Sequence, residues 1–210
     1  LGRPRKPLVT REGVGRTALE IIDEEGLDSF TLPRLAARMG VTTPALYHHF
    51  ADRNEILSLV AQLILDEAVR PPRPQDPRDW RAWVLENSLN LRTAVLRHRN
   101  AAPVLLMFPP RVHVGQRYDE GVEVLATAGV PVPLIIQILD GIETISMGAA
   151  LREAMRPQPP DEPIFPGAAE GLLPWLAKAL EQNELDTVQL YSESLLSFLD
   201  GVLHRHQVGH

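Results

Sequence analysis

Residues 31–53, TLPRLAARMGVTTPALYHHFADR, constrain the fold more than any other stretch of the chain. Thr31 reads as an N-cap, with Leu32 and Pro33 in the first turn, where the N–H that proline lacks would have had no partner anyway. Leu32, Leu35, Ala36 and Met39 then share one helical face, and Gly40 stands where a C′ glycine stops a helix. Val41 fills the turn. Thr43 reads as the cap of a second helix with Pro44 at N1, and Leu46 and Phe50, four apart, share its inner face. Two short helices joined by a tight glycine turn make a helix-turn-helix.

The outer face of the second helix carries Thr43, Pro44, Tyr47 and His48, with His49 beside them. Hydroxyl and imidazole groups on an exposed face suit contacts to phosphates and base edges in a duplex groove. The candidate DNA contacts are therefore Thr31, Thr42, Thr43, Pro44, Ala45, Tyr47, His48 and His49. Arg53, opening the next helix, is placed to reach a phosphate beside free N–H groups. Arg3, Arg5 and Lys6 form a basic tail that reads equally as a minor-groove arm or as a loose phosphate contact.

The segment FTLPRLAARMGVTTPALYHHFADRNEIL resembles the DNA-binding segment of the tetracycline-repressor (TetR) family. The landmarks are Thr31, Leu35, Ala36, Gly40, Val41, Leu46, Tyr47, Phe50 and the helix that starts after Asp52. The resemblance continues more weakly beyond it, and LRHRNAAPVLL at 96–106 is similar to the ligand domain of the family's tetracycline-binding members. It implies an all-α chain, with a DNA-binding head at 1–70 and a ligand-binding and dimerisation domain at 71–210. It also implies a homodimer on a palindromic operator, paired through 133–155 and 186–205 and released by a small-molecule inducer.

The rest of the chain agrees with an all-helical reading. Thr10 caps a helix to about Glu25, ended by Gly26, and Asp52 with Glu55 forms a capping-box-like start for a helix to about Arg70. Pro71, Pro72, Pro74 and Pro77 mark a boundary. Beyond it helical periodicity predicts helices ending near Arg99, over about 112–128, over 133–155, and over about 168–182 and 186–205, with 157–167 a loop. On the last helix Val188, Leu195, Leu199 and Val202 form one apolar side, and Leu190, Leu196 and Leu203 another. Such a helix is expected to be covered by more than its own chain, which places the dimer seam at Leu195, Leu199 and Val202.

Charge and composition exclude several classes. The net charge is −6, but residues 1–54 hold eight Lys/Arg against seven Asp/Glu, a local +1 that leaves −7 for the remainder. DNA affinity needs a local basic patch rather than a basic protein. With no cysteine there are no disulfides or thiolate metal sites. No Gly-rich phosphate loop, GxSxG elbow or HExxH pattern is present, so no enzyme is expected. His48-His49 and His204/His206 diverge on a helix, so neither a metal nor another cofactor is expected. No uninterrupted apolar run reaches the roughly 20 residues of a bilayer span and no signal peptide opens the chain. The expectation is a soluble cytoplasmic protein, its start trimmed before Leu1, without a membrane partner.

One polar residue stands inside an apolar stripe. Asn87 lies among Trp80, Trp83, Val84, Leu91, Ala94 and Val95, where a buried amide must find either a backbone partner or a ligand. The resemblance matches Asn87 to an asparagine that binds the drug in the family's tetracycline-binding members. The remainder of that drug site is replaced: Val69 and Leu105 stand where those members have histidines, Phe108-Pro109 where they have Thr-Arg, and Arg152 where they have an acid. The candidate ligand site is therefore greasy, formed by Asn87, Leu91, Leu105, Phe108 and Met147, with Val69, Met107 and Ile138 beside them. His113, Gln137 and Thr144 are its further polar candidates. The reading is a ligand-released repressor; the rival is a helical ligand-binding or enzymatic domain with a vestigial head.

Overall fold

The computed structural model describes residues 9–156 and 165–207. Arg3, Arg5 and Lys6 of the basic tail lie outside the described residues. Eleven α-helices occur among the described residues, and no strand.

The head is built from α1 (Arg11–Glu25), α2 (Leu32–Met39) and α3 (Thr43–Tyr47). Thr10 caps α1 by accepting from Gly13 N, and Thr31 caps α2 by accepting from Arg34 N. Gly40 takes the left-handed conformation at φ 66°, open to glycine without a Cβ penalty, and its N–H closes onto the last turn of α2. The cap of α3 is Thr42 rather than Thr43, and its side chain makes no capping bond. Pro44 still falls in the first turn, so the helix begins one residue before the sequence reading put it. Ala36 is buried, small enough for the head's helices to close around it, and Leu46 and Phe50 insert into the core as expected.

The next helix, α4 (Arg53–Glu67), leaves the head and enters the larger body. Asp52 accepts from Glu55 N at 2.9 Å, while Glu55 reaches back to Ala51 N at 2.6 Å, so the reciprocal half of the capping box lands one residue early. The helix stops at Glu67, short of Arg70, because Ala68 is already extended on the way to the proline cluster. The body follows with α5 (Trp80–Arg97), α6 (Ala102–Met107), α7 (Arg111–Thr127) and α8 (Val132–Ala154). The helix expected over 168–182 is two pieces, α9 (Pro166–Ala169) and α10 (Pro174–Glu181), divided where Gly171 adopts φ 76° and Pro174 starts a new turn. The chain ends in α11 (Thr187–Gln207).

Two apolar cores result. One runs through the head and continues without a break into the body, joining Phe30, Leu46 and Ile64 to Val95, Leu105, Met147 and Leu151. The other holds Trp80, Val84, Leu125 and Ile138 against Tyr191, Leu195 and Leu199. Leu195 and Leu199 are fully buried and Val202 nearly so by their own chain, which corrects their placement at a dimer seam. Helical spacing identifies two apolar faces but not which of them the chain itself covers. The face left exposed carries Leu190, Ser194, Ser197 and Gly201. Beside it α8 exposes Gln137, Asp140, Thr144 and Gly148. By length and composition alone α8 could cross a membrane; in the fold it packs against α5, α7 and α11. Its contact with α11 is close enough that a Cβ on Gly141 would collide with the Cζ edge of the Phe198 ring.

Candidate functional site

Two sites emerge, one at each end of α4. At the head, Tyr47 is 55% exposed and Thr42, Pro44, His48 and His49 are exposed beside it, whereas Thr43 and Ala45 are half-buried. α3 ends at Tyr47, so the two histidines stand in the turn after the helix rather than on its face. Thr31 is exposed at the start of α2 with its hydroxyl engaged as a cap. Arg53 lies over the Phe30 ring, 5.3 Å from its centre, and donates to the Phe30 carbonyl at 3.4 Å. It is half-buried against its own head, not extended for a phosphate.

Sequence reasoning missed Arg11. Its guanidinium stacks on Phe50 at 4.4 Å, donates to the His49 carbonyl at 2.5 Å and pairs with Glu55 at 2.6 Å. One side chain thus fixes the turn after α3 to the first turn of α4. The Ala51 N–H and then Arg11 hold the Glu55 carboxyl below its ordinary range. On α2, Arg34 pairs with Glu25, and Arg38 with Glu24 at 2.7 Å and Glu25 at 3.4 Å, so these cations brace α2 on α1.

At the other end of α4 a cavity of about 200 Å³ opens between α5, α6, α7 and α8. That is several times the roughly 30 Å³ share of one water molecule, a space for a ligand rather than for a single bound water. Leu65 of α4, Leu105 and Met147 bring the first core to its wall, and Val84 brings the second. Of the expected pocket residues, Asn87, Leu91, Leu105 and Met147 line it. Asn87 Nδ2 donates to the Trp83 carbonyl at 2.9 Å, so part of the amide is satisfied within its own helix.

The other expected ligand residues lie elsewhere. Phe108 packs on the first core, with Pro109 and Pro110 taking its place in the wall. His113 Nε2 stands 3.3 Å from Asp66, and burial pulls its pKa below the ordinary value. Gln137 and Thr144 are on the exposed face of α8. Ile138 is in the second core, and Val69 and Met107 point to solvent.

Two of the cavity's polar groups come from α7, where the sequence reading had named only His113. Arg117 lines it and donates to the Leu65 carbonyl at 3.2 Å. Burial, then the charge of Arg70, pulls its pKa below the ordinary arginine value, against Asp66 and Glu120. Tyr118 donates to Glu143, and burial followed by that bond and charge pushes the phenol above its usual range. Ser146 also faces the cavity and accepts from Tyr191 at 2.9 Å. The signal was present: Val114, Arg117, Gly121 and Val124 follow helical spacing, so a cation sat on a stripe facing inward. Among the described residues no cluster of three or more His, Cys, Asp or Glu is arranged to hold a metal.

Residues 16–60 match the family described as bacterial regulatory proteins, tetR family, and residues 73–205 match the tetracyclin repressor-like C-terminal domain. The chain is 28% identical over 194 residues to the class A tetracycline repressor protein from transposon 1721 of Escherichia coli, covering 92% of this chain and 90% of that one. It is 32% identical over 143 residues to the class C tetracycline repressor protein of Escherichia coli, which is 68% of this chain and 65% of that protein. The structure of the Streptomyces coelicolor protein ActR in complex with actinorhodin superposes with a TM-score of 0.77 at 27% identity, covering 96% of this chain and 99% of that one. A tetracycline repressor variant from Acinetobacter baumannii AYE in complex with minocycline gives 0.73 at 26% identity, with 92% of each chain covered. The chain belongs to the TetR family and is a transcriptional regulator built from a helix-turn-helix head and a helical ligand-binding domain.

Proposed function

We propose that this regulator is a homodimeric repressor of a palindromic operator, released when a small, mostly apolar inducer enters the cavity between α5 and α8. The reading divides the chain into a head at 1–70 and a ligand and dimer body at 71–210. The carrying observation is that both sites share one helix. The first turn of α4 is bonded through Glu55 and Arg11 to the turn that presents His48 and His49, and its last turn supplies Leu65 to the cavity wall.

Two heads of a dimer enter successive major grooves only when their spacing matches one helical turn of DNA, about 34 Å. An inducer that fits the cavity better in the mis-spaced state shifts the population by its differential affinity. Relatives named as repressors, and others solved with minocycline or actinorhodin, support this form of control. The exposed faces of α8 and α11 are the surfaces we assign to dimerisation, and Gln137 and Thr144 belong to that surface rather than to the cavity.

The test is selection of duplex DNA from a random pool with the purified protein, followed by mobility-shift titration. A recovered palindrome bound in preference to scrambled duplex supports the reading. Indifference to sequence would favour the rival, a ligand-binding domain with an inactive head.

A further inference from the structure

We propose that the cavity is built for an acidic ligand, an apolar ring system carrying a carboxylate or comparably acidic hydroxyl, and that Arg117 is the residue that reads the acid. This rests on the cavity being the inducer site. Arg117 lines the cavity, and its recorded bond is to a neutral carbonyl, that of Leu65 at 3.2 Å. Among the described residues no carboxylate lies within ion-pair distance of it. By contrast Arg92 meets Glu153 at 2.5 Å, Arg73 meets Glu123 at 2.7 Å and Arg70 meets Glu120 at 3.1 Å. A partly buried guanidinium left on a carbonyl alone keeps most of its desolvation cost. A ligand carboxylate offsets that cost and accepts two parallel N–H bonds, which a neutral acceptor cannot do.

The cavity already has its carboxylate engaged at another point. Glu143 accepts from Tyr118, which leaves a phenol–carboxylate pair for a ligand hydroxyl and Arg117 for the acid. Apart from Asn87, Ser88 and Ser146, the remaining wall, including Trp83, Leu91, Leu139 and Met147, is apolar and suits flat rings. Acid binding also has a consequence for α4. The Leu65 carbonyl belongs to the last turn of that helix, where it accepts from Ala68 N as well as from Arg117. A carboxylate competes for the guanidinium and loosens the tie from α7 to α4.

The probes are anthraquinone-2-carboxylic acid and 1-hydroxy-2-naphthoic acid, each paired with its own carboxamide. Binding to the intact protein is followed by tryptophan fluorescence and calorimetry, and release from the selected duplex by mobility shift. Each acid should bind the wild type about tenfold or more tightly than its amide, the scale of one charge-assisted pair. Arg117→Gln retains a donor for Leu65 and should bring acid and amide to within about twofold while amide affinity is kept. Arg117→Lys should retain part of the preference. Acid and amide binding equally to the wild type would overturn the acid reading and leave the inducer cavity standing. An undiminished acid preference in Arg117→Gln would remove Arg117 from the reading, and failure of all four probes to bind a protein that still shifts its duplex would count against both.

Discussion

The imidazole of His98 stands 2.6 Å from the carboxylate of Asp23, joining the end of α5 to the first helix of the head. Its other nitrogen is 3.0 Å from Glu67 at the end of α4. The Asp23 bond, opposed by burial and reinforced by Glu67, raises the imidazole above its ordinary 6.5. A raised native pKa gives stability that is fully present below the unfolded value and is lost as pH rises through the native one. His98→Gln should therefore cost about 1–2 kcal/mol near pH 6, the range for charge-assisted bonds reduced for partial exposure. The gap should close towards pH 9. Urea midpoints of both proteins at the two pH values measure it, and a pH-independent gap would show that protonation of His98 is irrelevant.

Exposure of Tyr47 and His48 predicts that Tyr47→Ala and His48→Ala weaken operator binding without altering thermal stability. Each lost contact is expected to cost about 1–3 kcal/mol. Mobility shifts on the selected duplex, with melting curves as control, provide the check. Wild-type affinity in both variants would put a different face of α3 in the groove.

Leu199 is buried by its own chain, so Leu199→Glu should unfold the monomer rather than split a dimer. Gly148 and Gly201 are the better probes, because nothing lies within 4 Å of a Cβ built at either. Gly148→Arg and Gly201→Arg should leave helicity intact, apart from a small gain in helix propensity, yet yield monomers on sedimentation and lose cooperative DNA binding. Stable dimers from both would relocate the interface away from α8 and α11.

The cavity wall contains no imidazole, since Leu105 occupies it and His113 faces Asp66. Magnesium–tetracycline is accordingly expected neither to bind tightly nor to release DNA. Asn87→Ala should weaken the inducer response while leaving operator affinity near wild type, as Asn87 lines the cavity and bonds within its own helix. Titrations with and without magnesium settle the first point, and submicromolar, magnesium-dependent binding would contradict it. An operator-release assay settles the second.

Much of the fold was readable because its helix ends are chemically marked. Thr10, Thr31, Gly26, Gly40 and Asp52 all sit where cap chemistry requires them. The break inside 168–182 was missed because the glycine that causes it, Gly171, is followed by an apolar Leu172-Leu173 pair that continues the helical pattern. The cavity was half legible. Asn87 was conspicuous as an amide among apolar residues, whereas Arg117 and Tyr118 were hidden in a helix already rich in charge. Arg11 was unreadable in principle: its three contacts come from residues at least 38 positions away. The dimer face was misassigned because periodicity gives angles around a helix and not the identity of its neighbours.

The close seating of Phe198 on Gly141 turns α8 and α11 into a stator. With only the glycine backbone of Gly141 beneath the Phe198 ring, the two helices have little room to slide, and any displacement a ligand produces is expected on the α7 and α4 side. From Leu65 to its first residue α4 forms a lever about 18 Å long, so tilting it by about 5° around Leu65 carries its head end roughly 1.6 Å. In the proposed dimer, two such levers related by a two-fold axis would change the span between their tips by up to about twice that amount, enough to put hydrogen-bonded contacts at both half-sites out of reach.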